Sequence, residues 1–121
     1  METYELKDNY GVKYVGEWLN DHIHGNGVLL SNTSKYIGQF KFGLKHYHGR
    51  EILKNEVYEG QFEGGRRKGL GIRYTPSFTE RGLFDEEFEE GDIIYLDGRV
   101  EHKGKKSNMN LMQALNQESQ S

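Results

Sequence analysis

The chain has 121 residues, which leaves room for one domain, and the absence of cysteine excludes disulfides and thiolate metal sites. Its formal net charge of −3, without a basic stripe, gives no reason to expect a nucleic-acid partner. The chain contains no apolar run near the roughly 18 residues of a membrane span, and its first residues lack the apolar stretch of a signal peptide, so we expect a cytoplasmic protein.

The first predicted element is a strand near the N-terminus. The stretch YELKDNYG, residues 4–11, reads as the second strand of a truncated hairpin followed by a turn at residues 8–11. We therefore expect this segment to begin a sheet.

An aromatic-glycine-aromatic pattern then recurs every 22 residues. It appears as YVGEW at 14–18, YIGQF at 36–40, YEGQF at 58–62 and, in altered form, ERGLF at 80–84. A fixed period of this length indicates a repeat architecture. The predicted repeat core consists of Tyr14, Gly16, Trp18, Tyr36, Gly38, Phe40, Tyr58, Gly60, Phe62, Gly82 and Phe84.

A second short strand follows each copy of this pattern. Gly27, Gly49 and Gly71 are 22 residues apart and open the runs GVLL, GREI and GIRY. Each unit therefore reads as strand, glycine-containing turn, strand, which predicts an all-β fold built as a single-layer twisted antiparallel sheet of consecutive hairpins. The recurring glycine on the aromatic side leaves room for a ring to lie flat over the backbone.

The units resemble the MORN repeat, in which Tyr-x-Gly-x-Trp/Phe is followed by a polar linker, Gly-x-Gly and a second strand. The first unit, YVGEWLNDHIHGNG, and the third, YEGQFEGGRRKGLG, match closely. Tyr47 replaces the first glycine of the pair in the second unit, while Glu80 and Ile93 depart from the pattern in the fourth. A fifth unit begins at HKGKK, which places Gly104 in register. The resemblance implies a scaffold of cytoskeletal, ciliary or membrane-associated assemblies rather than an enzyme.

The connecting loops carry patterned charge. The loops of the first three units are basic or histidine-rich, whereas the fourth, DEEFEEGD at 85–92, is acidic. Because equivalent residues of stacked repeats should be neighbours, we predict ion pairs from Arg67 to Glu89 and from Lys68 to Glu90. An alternative is that each run is simply solvated.

Histidines form the only arrangement that is suggestive of a metal site. His24 and His46 are equivalent in the repeat, and with His22 and Asp21 they could bind zinc. The alternative is that they are polar turn residues, which we favour, and we predict no metal, no cofactor and no catalytic site.

The composition changes after Gly104, where the chain reads KKSNMNLMQALNQESQS. We therefore divide it into a hairpin array at 1–104 and a C-terminal segment at 105–121. A short helix is predicted over 108–117, because Leu111, Met112 and Leu115 would share one face. Such a helix would either cap the last repeat or dock on a partner, and disorder is a third alternative.

An extended sheet with little enclosed volume suits protein binding better than a small-molecule pocket. We expect protein partners within a larger assembly, bound through exposed aromatic residues and the C-terminal apolar face, although Phe42 and Tyr47 could instead stack within the chain. The predicted partner-binding residues are Tyr10, Phe42, Tyr47, Phe78, Leu111, Met112 and Leu115. The alternative function is a peripheral membrane adaptor that binds anionic lipid. Its predicted lipid-binding residues are Lys45, Arg50, Arg66, Arg67 and Lys68.

Overall fold

The computed structural model describes the backbone of residues 2–104 and the side chains of residues 5–104. Ten strands form one antiparallel sheet in which each strand pairs only with its neighbours along the chain, and no helix occurs in this range. The strands are β1 (Glu2–Lys7), β2 (Lys13–Leu19), β3 (His22–Leu30), β4 (Ser34–Lys41), β5 (Leu44–Leu53), β6 (Val57–Glu63), β7 (Arg66–Tyr74), β8 (Phe78–Asp85), β9 (Glu87–Tyr95) and β10 (Val100–Lys103). The predicted all-β hairpin array is confirmed.

The predicted C-terminal segment at 105–121 falls outside the described residues. This includes the helix expected over 108–117 and its apolar residues Leu111, Met112 and Leu115.

A row of glycines crosses the sheet from β2 to β9. Each glycine lies directly opposite the next on the neighbouring strand, and the row consists of Gly16, Gly27, Gly38, Gly49, Gly60, Gly71, Gly82 and Gly91. The tyrosines of the first three repeats lie over this row. A methyl group added at Gly71 would lie 2.4 Å from Tyr58 Oη, and one added at Gly49 would lie 2.3 Å from Tyr36 Oη. The predicted slot for aromatic rings is therefore present.

The rings on this face of the sheet pack in a continuous line, which we call the aromatic ladder, with edge-to-face contacts along its middle and tilted contacts at its two ends. It runs through Trp18, Tyr14, Phe40, Tyr36, Phe62, Tyr58, Phe84 and Phe88. Within it, Phe62 lies 5.2 Å from both Tyr36 and Tyr58, measured between ring centroids. Every ring except Trp18 is at most 5% exposed, so each tyrosine is buried by the phenylalanine of the following repeat. We call this side of the sheet the aromatic face.

A β-bulge in the first strand of each early hairpin positions these tyrosines. In the third repeat the ladder register shifts between Gly60 and Phe62, which leaves Gln61 as the extra residue. The hydroxyl of Tyr58 donates to the carbonyl of Gln61 at 2.9 Å, and Gln61 Oε1 accepts the backbone N–H of Leu70 at 2.7 Å. The same two hydrogen bonds recur at the bulges of the first two repeats, at Glu17 and Gln39.

The fourth hairpin is shorter than the others. Gly82 pairs with Gly91, nine residues later, whereas Gly60 pairs with Gly71, eleven residues later. The repeat spacing had assigned this position in the glycine row to Ile93. That assignment was wrong, because Gly91 occupies the position. A single residue with positive φ, Glu86 at 62°, forms this tighter turn.

Candidate functional site

Three of the histidines near the hairpin turns contact aromatic rings: His22 and His24 lie against Phe42, and His46 lies against Tyr47. His24 Nδ1 accepts the backbone N–H of Phe42 at 3.3 Å, and the ring of His46 lies 4.2 Å from that of Tyr47. No group of three or more potential metal ligands comes together within the described part of the chain. The residues of the zinc alternative, His22, His24, His46 and Asp21, therefore do not belong to such a group.

Three of the predicted partner-binding aromatic residues lie at the surface. Tyr10 is 84% exposed, Phe42 is 55% exposed and Tyr47 is 59% exposed. Phe78 is only partly exposed, because the guanidinium of Arg73 lies 5.7 Å above its ring and Tyr95 packs beside it. The surface therefore offers the first three rings to a partner more fully than the fourth.

Two of these exposed residues adopt backbone conformations that favour glycine. Phe42 has φ 47° in a tight hairpin turn, and Tyr47 has φ 60° within β5. In the first and third repeats the position of Tyr47 is held by Gly25 and Gly69, with φ 80° and 104°. The left-handed conformation costs a residue with a Cβ about 1–2 kcal/mol, so both aromatic residues occupy positions where the backbone locally favours glycine.

Tyr47 also weakens the neighbouring bulge. A methyl group at Gly69 would lie 2.2 Å from Gln61 Oε1, which shows that the bulge side chain needs the space beside a glycine. In the second repeat, where Tyr47 brings a Cβ to this place, Gln39 Oε1 accepts the N–H of His48 at 3.3 Å. The same bond is 2.7 Å in the first and third repeats. The side chain of Tyr47 thus strains its own repeat in two ways.

Replacing Tyr47 by glycine is expected to raise the free energy of unfolding by about 0.5 kcal/mol. Relief of the left-handed strain outweighs the added entropy of glycine in the unfolded chain. Urea unfolding of the purified protein measures the change. A loss of more than about 1 kcal/mol would show instead that the ring stabilises the fold by stacking within the chain.

Six side chains of alternating charge form a connected series on the aromatic face, which we call the charge chain. It runs Lys45, Glu51, Arg67, Glu56, Arg73 and Glu80, with ion-pair distances of 2.6–2.8 Å at each step. Arg67 lies in the middle of the series and pairs with two carboxylates, Glu51 and Glu56. Its side chain is only 12% exposed, and its guanidinium lies 4.8 Å above the ring of Tyr58. The charge chain therefore links the second, third and fourth repeats over the aromatic ladder.

The hydrogen bonds of the charge chain lower the pKa values of its two central carboxylates. Burial raises the pKa of Glu51, but hydrogen bonds from Lys45 and Arg67 outweigh burial and hold that pKa below its ordinary value. The pKa of Glu56 is lowered in the same way, against burial, by hydrogen bonds from Arg67 and Arg73. Burial also raises the pKa of Tyr58 to about 12. Glu51 and Glu56 thus remain ionised at neutral pH.

The predicted ion pairs from Arg67 to Glu89 and from Lys68 to Glu90 are wrong. Residues 22 apart lie two strands apart, about 9–10 Å, because each repeat contributes a pair of strands. Lys68 is instead directly opposite Asp85 and pairs with it at 3.3 Å.

Four of the five predicted lipid-binding cations are engaged in ion pairs. Lys45 and Arg67 belong to the charge chain, while Arg66 and Lys68 both pair with Asp85. Arg50 is exposed on the opposite face of the sheet, across from Glu59. These positions do not form a continuous positive surface. Lipid binding itself stays an untested prediction.

A groove of about 370 Å³ lies beside the charge chain at the C-terminal end of the sheet. Four members of the charge chain line it together with Glu86, Glu87, Phe88 and Lys103. Its walls are mostly polar and carry both signs of charge, which suits a polar segment of a partner better than an apolar small molecule. The described residues include no helix that could cross a membrane.

Comparison with known proteins shows repeats of the same kind. The MORN repeat family model matches residues 14–34, 36–55 and 58–79. The chain is 29% identical to Alsin from mouse and from human over 103 residues, which cover 78% of this chain and 6% of Alsin. It is 30% identical to the human ALS2 C-terminal-like protein over 86 residues, which cover 64% of this chain and 9% of that protein. The chain thus spans less than a tenth of the length of these curated relatives.

Proposed function

Since this chain belongs to the MORN-repeat family, we propose that it is a non-enzymatic scaffold that binds other proteins within a cytoskeletal, ciliary or membrane-associated assembly in the cytoplasm. The groove beside the charge chain is mostly polar, and aromatic residues project from the surface of the sheet. Aromatic side chains that fill pockets of a partner commonly dominate protein interfaces, which supports a protein rather than a small molecule as the ligand.

The observation that carries the proposal is the backbone strain at Phe42 and Tyr47. Both rings are more than half exposed, yet both residues hold positive φ values that glycine or asparagine would adopt at lower cost. Strain of this kind clusters at binding sites, because selection for contact with a ligand opposes selection for stability. We assign Phe42 and Tyr47 as the anchors of the partner interface, with Tyr10 as a further exposed ring.

The test is affinity purification of the full-length protein from its native cell, with crosslinking through lysines and identification of the crosslinked peptides. A double variant, Phe42→Asn with Tyr47→Gly, is compared with Leu96→Ser, which removes another exposed apolar side chain. We expect the wild type and Leu96→Ser to recover a stoichiometric protein partner. We expect the double variant, which should fold at least as well, to lose it.

Two results would contradict the proposal. Equal recovery by the double variant would remove Phe42 and Tyr47 from the interface. Recovery with membranes and without a stoichiometric protein would favour the lipid-binding alternative, in which case Arg50→Glu should release the protein from vesicles that contain anionic phospholipid.

A further inference from the structure

The outer side of β1 is an open edge of the sheet. Within the described residues β1 pairs only with β2, so the backbone groups on its other side face no strand. An edge of this kind can extend the sheet by pairing with a further strand. β1 has six residues, whereas β10 at the other end of the sheet has four. β1 is therefore the longer of the two edges.

The three described side chains of β1 are exposed and alternate between the two faces of the sheet. Leu6 lies directly opposite Tyr14 and therefore on the aromatic face, where it is 42% exposed. Glu5 and Lys7 lie on the other face, where Lys13 pairs with Glu5 at 3.1 Å. Lys7 is directly opposite Lys13 and forms no ion pair with a described residue. Like charges in this arrangement are destabilising, so a carboxylate beside Lys7 would be favourable.

The order of these three residues is complementary to itself. When two copies of β1 pair antiparallel with their Leu6 residues directly opposite, Glu5 of each copy lies opposite Lys7 of the other. Two-fold symmetry makes this favourable contact twice, and the two Leu6 side chains cover each other on the aromatic face. Registers centred on Glu5 or on Lys7 would instead place like charges opposite each other. The pattern therefore selects one register.

We propose that the protein self-associates through β1, so that the sheets of two copies join edge to edge about a two-fold axis at Leu6. The occupant of the edge is a second copy, because a charged edge disfavours strands that do not offer the opposite order of charge, and β1 itself offers it. Pairing of two six-residue strands buries little surface, so we expect reversible association that depends on protein concentration. The joined sheet would present Phe42 and Tyr47 twice.

Sedimentation equilibrium of the purified full-length protein over a range of concentrations tests the proposal with two charge reversals. Glu5→Lys makes both residues beside Leu6 positive, and Lys7→Glu makes both negative. We expect each variant alone to self-associate about tenfold more weakly than the wild type, because both symmetric contacts become repulsive. An equimolar mixture of the two variants should associate about as tightly as the wild type, since every contact again joins opposite charges. Lys35→Glu, an exposed control on the interior strand β4, should behave as the wild type.

A single cysteine tests the register of the two strands. The chain contains no cysteine, so Leu6→Cys introduces its only thiol. Residues directly opposite in an antiparallel pair have Cα atoms about 4.5–5.5 Å apart, which is within the span of a disulfide. We expect Leu6→Cys to form a covalent dimer on oxidation much faster than Lys35→Cys, which measures crosslinking by random collision.

Three results would overturn the proposal. The first is a wild-type protein that stays monomeric at every concentration, and the second is a mixture of the charge variants that associates no better than either variant alone. The third is Leu6→Cys that crosslinks no faster than Lys35→Cys, since association would then use another surface. Urea unfolding followed by the fluorescence of Trp18 verifies that every variant is folded.

Discussion

Replacing Gly60 by valine is expected to lower the free energy of unfolding by about 3 kcal/mol, the upper part of the range for overpacking a well-packed site. A Cβ at this position would lie 2.5 Å from both Gly71 Cα and the carbonyl oxygen of Leu70, and 2.8 Å from Tyr58 Oη. The first two atoms belong to backbone that is fixed by the sheet, so relief would require separating β6 from β7 or expelling the fully buried ring of Tyr58.

The matched control is Glu59→Val, one residue earlier on the same strand. Glu59 is exposed on the opposite face, where a valine side chain has free space. Urea unfolding followed by the fluorescence of Trp18 gives both free energies, and we expect Glu59→Val to change stability by less than about 0.5 kcal/mol. Equal unfolding midpoints for the two variants would show that the glycine row does not accommodate the tyrosine rings.

Replacing Arg67 by methionine is expected to destabilise the protein by about 3 kcal/mol at pH 7. The guanidinium donates to Glu51 and Glu56 at 2.7 and 2.8 Å, and its loss leaves two carboxylates on the aromatic face with one cationic partner each. Methionine retains a similar length of apolar stem over Tyr58, so the loss reports the charge rather than the packing. Breaking a largely buried ion pair by removing one partner typically costs about 3–5 kcal/mol, and the residual exposure of this site favours the lower figure.

The deficit of Arg67→Met should shrink as the pH falls. The folded-state pKa of Glu51 and Glu56 is lowered in the wild type, so their stabilising contribution is present above the ordinary carboxyl value of 4.5 and is lost as the pH falls through the lowered value. In the variant, protonation of the two carboxyls removes the charge that Arg67 had compensated. Unfolding curves at pH 7 and pH 3.5 measure both effects. A deficit that is independent of pH would assign the loss to packing.

Most of the fold could be predicted from the sequence, because the 22-residue spacing specifies two strands and a turn in each unit. The 22-residue spacing gave the wrong strand register for the fourth hairpin, because this hairpin is two residues shorter than the others. By its position along the chain, Gly91 corresponds to the first glycine of the Gly-x-Gly pair in the other repeats. In the sheet, however, it pairs with Gly82 as the second glycine of that pair does in the other hairpins. The sequence offers both alignments, and only the short turn at Glu86 decides between them.

Less of the candidate site could be predicted. Phe42 and Tyr47 were predicted as exposed aromatic residues, with stacking within the chain as the alternative, and both are more than half exposed. The charge chain was not predicted. Its central ion pair joins Arg67 to Glu51, which are 16 residues apart and follow no repeat spacing, since the long side chain of Arg67 crosses the ring of Tyr58 to reach β5. One signal was available in the sequence: Glu51 and Arg73 occupy the position that Leu29 holds in the first repeat, beside the tyrosines.

The neighbour-to-neighbour pairing of the ten strands also sets how the chain acquires its structure. Since every described strand pairs only with the strands before and after it, no contact of the sheet requires the closure of a long loop. Proteins dominated by such local contacts fold rapidly for their size, and repeat arrays can nucleate at any one unit and grow outward. We therefore expect the nascent chain to form its first complete hairpins as soon as they leave the ribosome, with each later repeat adding to an edge that is already in place.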